Sequence, residues 1–272
     1  MPELPEVETV RGGLEEILQD RSVIKKVRLM RPDIRFKIPV ELPRRLAGQI
    51  FTGVRRRAKY LLLDTPKVTL LSHLGMTGSW RLAADGTEDK HDHCYIEFED
   101  GRRLAFRDPR RFGIIDLLEP GQEASHPRLK NLGAEPLEDA FNAEYFFAAS
   151  RKRKIAAKVF IMDQRIVVGI GNIYASETFF RARVRPTRPA GRLTRDECER
   201  LVDSSRAILR DAIRAGGSSI RDYRGADGLA GSFQGRHQVY DREGEPCRIC
   251  RTPIDQKVIG GRSTFWCRRC QK

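Results

Sequence analysis

Four cysteines near the C-terminus constrain the fold of this chain more than any other feature. They follow the pattern Cys247-x2-Cys250-x16-Cys267-x2-Cys270, which is two Cys-x-x-Cys pairs separated by a spacer. Paired thiolates at this spacing are typical of tetrahedral Zn²⁺ sites, and a site closed by four thiolates is structural, not catalytic. The pattern therefore predicts one structural zinc ion in a ribbon of residues 238–272. Two disulfides or unligated thiols are the alternative.

The other two cysteines, Cys94 and Cys198, have no such partner, and we expect them to be ordinary core or surface residues. The N-terminal segment is acidic and lacks the apolar stretch of a secretion signal, and no apolar run reaches the length of a membrane span. In proteins that are not exported, cysteines are more often thiols or metal ligands than disulfides. We therefore expect a cytoplasmic protein with no membrane partner.

The charge balance indicates a polyanionic partner. Lys and Arg number 51 against 37 Asp and Glu, which gives a net charge of +14 over 272 residues. Such an excess most often accompanies nucleic-acid binding, although a basic protein without such a partner is the alternative. Basic residues concentrate at Arg151–Lys158 and Cys247–Lys272, whereas Arg55-Arg56-Arg57 reads as a solvated face. Contacts of basic side chains with a phosphate backbone carry little sequence information.

The first half of the chain is predicted to be a helix followed by strands. Apolar residues recur at three- and four-residue steps over Leu4–Leu18, which predicts an amphipathic helix. From Val23 to about Leu118, short apolar runs broken by Gly, Pro and Asp predict the strands of a β-sandwich or barrel. Asp100-Gly101 is predicted to be the turn of a hairpin in this region.

The second half is predicted to be helical. A segment rich in Gly, Pro and polar residues at 120–136 marks a domain boundary. Helices are predicted over Ala143–Phe160, Ile173–Ala182 and Arg195–Ala215, the last with a capping box of Thr194 and Glu197. The Gly-rich residues 222–237 are predicted to form a loop ahead of the cysteine ribbon.

The N-terminus, Met1-Pro2-Glu3, carries reactive chemistry if Met1 is removed. The chain would then begin with the secondary amine of Pro2. An α-amino group titrates near pH 8, so a fraction of it is neutral and nucleophilic at pH 7. Condensed with an aldehyde, this amine gives a cationic iminium, and Glu3 is a candidate acid or base beside it. The alternative is that Pro and Glu are merely residues of a helix start.

Three glycine-containing turns carry the remaining candidate residues. Gly169–Glu177 contains Asn172, which is predicted to cap the following helix beside N–H groups that face a phosphate, although a tight interhelical turn is an equal alternative. His73–Gly78 contains Met76, and Asp108–Gly113 contains Arg110 and Phe112. An enzyme that extrudes a base must fill the resulting hole, and apolar wedges with an Arg can fill it. The alternative is that Met76 and Phe112 are core residues.

Taken together, these segments resemble the formamidopyrimidine-DNA glycosylase family of bacteria from one end of the chain to the other. The segments that carry the resemblance are Pro2–Glu8, His73–Gly78, Asp108–Gly113, Gly169–Glu177 and the cysteine ribbon ending Gln271-Lys272. The resemblance implies an α+β protein with three domains: an N-terminal β-sandwich with its helix (1–134), a helix–two-turns–helix domain with a lesion-capping loop (135–237) and a zinc ribbon (238–272).

The resemblance also implies a bifunctional enzyme of base-excision repair. It would excise oxidised purines, chiefly 8-oxoguanine and formamidopyrimidines, from double-stranded DNA and then cleave the abasic strand by β,δ-elimination. Pro2 is implied as the nucleophile, Glu3 as the acid and base of sugar-ring opening, and Lys59 as an active-site contact to the phosphate or lesion. The structural zinc is the one cofactor implied, and we expect a monomer.

The resemblance assigns the DNA contacts as well. Contacts to the backbone around the flipped nucleotide are implied for His73, Lys158, Asn172 and Arg262. The residues implied to fill the void are Met76, Arg110 and Phe112, with Arg110 facing the orphaned cytosine. Glu6 also matches the family, but stabilisation of the helix start through the helix dipole can be its whole role. Arg221 and Tyr223 are candidates for contact in the lesion-capping loop.

Two alternatives to this function stay open on the sequence. One is an endonuclease VIII-like enzyme, which shares this architecture but removes oxidised pyrimidines; Leu4 favours the purine enzyme, because the relatives commonly carry Gly there. The other is a non-enzymatic zinc-ribbon protein that binds DNA. Charge and cysteines alone permit it, but it leaves the N-terminal segment unexplained.

Overall fold

The computed structural model describes residues 1–84, 87–218 and 231–272. The chain divides into two compact units. The first unit comprises Met1–Lys130 with Gly216–Ser232, and the second comprises Asn131–Ala215 with Phe233–Lys272. The predicted three-domain division stays a prediction. Among the described residues, no helix has both the length and the apolar character needed to cross a membrane.

The first unit begins with the predicted helix and continues with strands, which confirms the order expected from the sequence. Its helices are α1 (Leu4–Leu18) and α2 (Leu42–Leu46). Its strands are β1 (Ile24–Leu29), β2 (Gly53–Arg57), β3 (Tyr60–Asp64), β4 (Thr69–His73), β5 (Ser79–Leu82), β6 (Asp92–Phe98), β7 (Arg103–Arg107) and β8 (Ile114–Leu118). The predicted hairpin at Asp100-Gly101 joins β6 to β7.

These strands pair into two antiparallel sheets with the orders β1-β6-β7-β5 and β2-β3-β4-β8. Apolar residues of both sheets and of α1 form one core, as expected of a β-sandwich. Trp80 of β5 lies in this core, and its indole Nε1 donates to Ser72 Oγ of β4 at 3.0 Å. A buried indole N–H needs such a partner, so this bond links the two sheets. Cys94 lies in the same core, where burial raises the pKa of its thiol to about 12.

The second unit is helical apart from one hairpin. Its helices are α3 (Ala143–Ser150), α4 (Ala157–Ile161), α5 (Asn172–Arg181) and α6 (Arg195–Arg214), and its hairpin strands are β9 (Asp255–Ile259) and β10 (Arg262–Trp266). The capping box predicted for α6 is present at Thr194 and Glu197. The single helix predicted over Ala143–Phe160 is wrong. The chain leaves the helix at Arg151, and Lys152 takes a φ of +60°, which a continuous helix does not allow.

The last two residues hold the cysteine ribbon to the segment after α5. The Gln271 side chain accepts the N–H of Cys267 at 2.9 Å and donates to the carbonyl of Val184 at 3.0 Å. The backbone N–H of Arg185 donates to the carbonyl of Lys272 at 2.8 Å. Gln271 is fully buried, so these bonds satisfy a polar group that would otherwise be costly to bury.

Candidate active site and nucleic-acid interface

The residues that follow Met1 lie in a buried, charged environment of the first unit, whereas Met1 itself is exposed. Pro2 and Glu3 are both buried, and Glu3 is only 3% exposed. Burial lowers the pKa of the Met1 ammonium below its usual value, and the charges of Glu3, Lys59, Glu6 and Arg110 also act on it. The structure therefore groups the predicted nucleophile with the two acidic residues and with the predicted active-site lysine.

Glu6 has a larger role than the helix-start stabilisation expected from the sequence. It forms a capping box with Glu3, in which the Glu3 N–H donates to Glu6 Oε2 at 2.8 Å. The other carboxylate oxygen, Oε1, accepts the N–H of Ser218 at 2.7 Å. One buried carboxylate thus holds both the start of α1 and the residue that precedes 219–230. The predicted lesion contacts Arg221 and Tyr223 lie outside the described residues.

Lys59 and His73 occupy adjoining positions at the ends of β3 and β4. Lys59 is 6% exposed and immediately precedes β3. His73 Nδ1 accepts the N–H of Gly75 at 2.9 Å, so the remaining ring nitrogen, Nε2, carries the proton of the neutral imidazole. Burial, and then the charges of Lys59, Arg35 and Arg128, lower the pKa of His73 to about 4. His73 is thus a neutral hydrogen-bond donor at physiological pH.

Met76 and Phe112 are exposed and not core residues, so the packing alternative is wrong. Met76 is 40% exposed and Phe112 is 41% exposed. The Arg110 guanidinium lies 5.0 Å from the centroid of the Phe112 ring, which is a cation–π distance. All three side chains extend from two adjoining turns, at the ends of β4 and β7. Exposed apolar side chains grouped in this way are typical of a binding surface.

In the second unit, Lys158 and Asn172 form a buried hydrogen-bond network with the β9–β10 hairpin. Lys158 is only 1% exposed. Its Nζ donates to Asn172 Oδ1 at 2.6 Å, to the carbonyl of Ser263 at 2.9 Å and to Thr264 Oγ1 at 3.1 Å. Asn172 Nδ2 donates to the same Ser263 carbonyl at 3.0 Å. A DNA contact by Lys158 stays a prediction, and this placement favours a supporting role.

Two further details concern this hairpin and helix α5. The residue that caps α5 is Gly171, and Asn172 is the first helical residue, so the prediction that Asn172 caps the helix is wrong. The side chain of Asn172 is directed instead to Lys158 and Ser263. Gly260, in the hairpin turn, has a φ of +57°, and a Cβ there would lie 2.7 Å from Val159 Cγ2. This close approach fixes the turn beside Arg262, which is exposed.

Glu177 was not singled out from the sequence, although it lies at the end of the Gly169–Glu177 motif. Its carboxylate is 3% exposed and accepts the backbone N–H groups of Gln238, Val239 and Tyr240 at 2.9–3.0 Å. Burial raises its pKa, and the three N–H groups oppose that effect. Glu177 therefore attaches α5 to the first residues of the predicted ribbon, ahead of its cysteines. An acid inside an otherwise apolar helix face was the available signal.

The four cysteines fit a zinc ion. Their sulfur atoms all lie within 4.8 Å of one another. Cys247 and Cys270 are 3.9 Å apart, and Cys250 and Cys267 are 3.4 Å apart. Tetrahedral Zn²⁺ with Zn–S bonds of about 2.3 Å places its sulfurs about 3.8 Å apart, whereas a disulfide needs about 2.05 Å. The donor set is therefore that of one structural zinc, as predicted, and the disulfide alternative is wrong.

Comparisons with known protein families and structures agree along the whole chain. Three family models match. They are described as the formamidopyrimidine-DNA glycosylase N-terminal domain at residues 1–115, the formamidopyrimidine-DNA glycosylase H2TH domain at 132–224 and a zinc finger found in FPG and IleRS at 244–272. A formamidopyrimidine-DNA glycosylase of Bdellovibrio bacteriovorus is 52% identical over all of both chains.

Two solved structures are similar to this chain in fold and sequence. The MutM (FPG) protein of Thermus thermophilus is 40% identical, with a TM-score of 0.89 over 99% of this chain and 98% of that one. A Lactococcus lactis FPG mutant in complex with Fapy-dG containing DNA is 35% identical, with a TM-score of 0.92 over 100% of both chains. These identities over full length are well beyond a likeness of fold alone.

Proposed function

The chain belongs to the formamidopyrimidine-DNA glycosylase family, and from this premise we propose that it excises oxidised purines by using Pro2 as a nucleophile. Membership makes it a base-excision repair enzyme that acts on N-glycosyl bonds of DNA. A relative's complex with Fapy-dG containing DNA supports formamidopyrimidines as substrates, with 8-oxoguanine beside them. The observation that carries the proposal is that Pro2 and Glu3 are buried at the start of the chain and that the charge of Lys59 acts on the N-terminal group.

The first step is attack by the Pro2 nitrogen on C1′ of the damaged nucleotide. While Met1 is present, this nitrogen is a peptide amide and has no nucleophilic lone pair, so removal of Met1 is required. The new N–C1′ bond replaces the glycosidic bond, and the base leaves with the electron pair and takes up a proton, which balances the N–H proton that Pro2 loses when its nitrogen forms the new bond. Glu3 then protonates the sugar ring oxygen, the ring opens, and a cationic iminium forms between Pro2 and C1′.

The same iminium supports cleavage of the strand, which is the lyase activity we propose. The cation draws electrons from C2′, so a C2′ proton is lost and the C3′–O bond breaks with release of the 3′ phosphate. A second elimination expels the 5′ phosphate, and water then releases the sugar fragment from Pro2. Lys59 is suited to assist because its positive charge acts on the N-terminal group of the chain and an ammonium can contact a phosphate.

The DNA contacts follow from the chemistry of the side chains. The neutral His73 donates from Nε2 to a phosphate oxygen, and Arg262 supplies an exposed cation. Met76, Phe112 and Arg110 occupy the space left by the extruded nucleotide, with Arg110 on the orphaned cytosine. The zinc ion takes no part in the reaction and holds the ribbon that carries Arg262.

Borohydride trapping tests the proposal. Reduction converts the iminium to a stable amine, so the processed protein should become covalently attached to a duplex that contains 8-oxoguanine opposite cytosine. Pro2→Gly should lose most of this adduct, whereas Pro5→Ala, which changes another proline of the same helix start, should retain it. A protein that binds the duplex tightly but forms no adduct would contradict the nucleophile and favour a non-enzymatic DNA-binding protein. A preference for oxidised pyrimidines would indicate the endonuclease VIII-like specificity.

A further inference from the structure

A single hydroxyl group joins the two turns that carry the proposed void-filling side chains. Thr77 follows Met76 in the first turn, and its Oγ1 donates to Asp108 Oδ1 at 2.6 Å. The same oxygen accepts the backbone N–H of Arg110 at 3.2 Å. The Thr77 hydroxyl therefore contacts both the acid that begins the second turn and the residue proposed to face the orphaned base.

The Asp108 carboxylate completes the connection. It is fully buried, and its second oxygen, Oδ2, accepts the N–H of Gly113 at 2.7 Å. One oxygen thus holds the Met76 turn and the other holds the far end of the Arg110–Gly113 turn. Hydrogen bonds that a carboxylate accepts are about twice as strong as those between neutral groups, so this buried side chain restricts both turns.

The backbones of the two turns also touch. Gly75 has a φ of +62°, and a Cβ at that position would lie 2.3 Å from the carbonyl carbon of Phe112. No side chain fits there, so Gly75 allows the turns to approach until their main chains are in contact. A shift of one turn is therefore transmitted to the other, and the relative position of Met76, Arg110 and Phe112 is set by this contact and by the Thr77 hydroxyl.

We propose that Thr77 and Asp108 are a pair of positioning residues that determine how the enzyme discriminates the base opposite the lesion. The inference rests on the proposed function, in which Arg110 faces that base. Neither residue touches the reacting atoms. Their effect is to hold Arg110 and Met76 in one fixed arrangement. A base other than cytosine opposite the lesion then fits this arrangement poorly, and excision is slower.

Replacement of the hydroxyl by an isosteric methyl group tests the pair. Thr77→Val leaves the buried Asp108 Oδ1 without its donor, and we expect excision of 8-oxoguanine opposite cytosine to slow by about tenfold. The preference for cytosine over adenine opposite the lesion should shrink by a similar factor. Thr77→Ser keeps the hydroxyl and should restore both quantities. Thr52→Val, at an exposed threonine of the same unit, is the matched control for basal activity.

Cleavage at a preformed abasic site separates this inference from a general loss of structure. We expect Thr77→Val to retain that activity and its borohydride adduct within about twofold, because Pro2 and Glu3 are untouched. Equal slowing on both opposite bases and on the abasic site, or no change in the cytosine preference, would overturn the positioning role. Absence of any adduct with the unaltered protein would instead overturn the proposed function.

Discussion

Replacement of Lys158 by methionine distinguishes a supporting role from a direct DNA contact. Met has a similar length and no charge, so it fills the buried space and removes three hydrogen bonds, to Asn172 Oδ1, the Ser263 carbonyl and Thr264 Oγ1. The Ser263 carbonyl keeps its second donor, Asn172 Nδ2. Each lost hydrogen bond costs about 1 kcal/mol net, so we expect the free energy of unfolding to fall by about 3 kcal/mol. Lys154→Met, at an exposed lysine of the same basic run, should cost little.

Urea unfolding measures the change in the free energy of unfolding. The salt dependence of DNA binding shows whether Lys158 contacts a phosphate or only supports the residues around it. A lysine that neutralises one phosphate contributes about 0.9 to the slope of log affinity against log salt concentration. We expect Lys158→Met to weaken binding with little change in that slope, because Asn172 and the hairpin lose their anchor but no phosphate loses its cation. In a double-mutant cycle with Asn172→Ala, the two stability losses should be non-additive by about 1 kcal/mol.

One outcome would refute this reasoning. If Lys158→Met leaves the free energy of unfolding unchanged and lowers the salt slope by about 0.9, the lysine contacts a phosphate directly. The hydrogen bonds of Lys158 to Asn172 and the hairpin would then exist only in the free protein and break when DNA binds. Binding is measured at a temperature where circular dichroism shows the variant to be folded, so that lost affinity is not lost structure.

Three further predictions follow from the geometry. Burial lowers the pKa of His73 and His237 to about 4, whereas the pKa of a histidine in the unfolded chain is about 6.5. Between these two pH values the unfolded state binds more protons than the folded state. The free energy of unfolding should therefore fall as the pH drops from about 6.5 to 4, by up to about 3 kcal/mol for the buried His237. Urea titrations at several pH values test this, and a flat profile would contradict it. Gly75→Ala should destabilise the protein by about 2 kcal/mol or more and reduce excision, because of the contact with Phe112 and the positive φ; Gly12→Ala, where a Cβ meets nothing within 4 Å, is the control, and equal melting temperatures would refute the argument. Removal of zinc by a chelator should weaken DNA binding and leave the fluorescence of Trp80 unchanged in a Trp266→Phe background, whereas equal affinity with and without metal would show that the ribbon does not contribute to binding.

The sequence was sufficient for the features that depend on local pattern. Three features were predicted correctly because the spacing of their residues alone specifies the geometry: the apolar period of α1, the capping box of α6 and the paired cysteines. The helix predicted over Ala143–Phe160 failed because continuous helix-forming residues do not reveal a left-handed Lys152. Tertiary contacts determine the backbone conformation of Lys152, and the pattern of neighbouring residues in the sequence does not contain them.

The supporting residues of the candidate site could not be predicted for a related reason. Thr77, Asp108 and Glu177 act through backbone N–H groups and through partners that are distant in sequence, so no spacing identifies them. Lys158 looked like a phosphate ligand because it ends a basic run, and only its burial shows how its ammonium is used. Side chains proposed to contact DNA were identifiable from their residue type, whereas those that hold them in position were not.

The three N–H groups that Glu177 accepts have a consequence for hydrogen exchange. The amides of Gln238, Val239 and Tyr240 lie at the start of the predicted ribbon, ahead of its first cysteine, and a carboxylate on α5 accepts all three. Their exchange with deuterated solvent should therefore follow the opening of α5 and not the release of the metal. In metal-free protein, slow exchange would persist up to Tyr240, and rapid exchange would begin at the cysteines. The cooperative folding unit that contains α5 would then end between Tyr240 and Cys247.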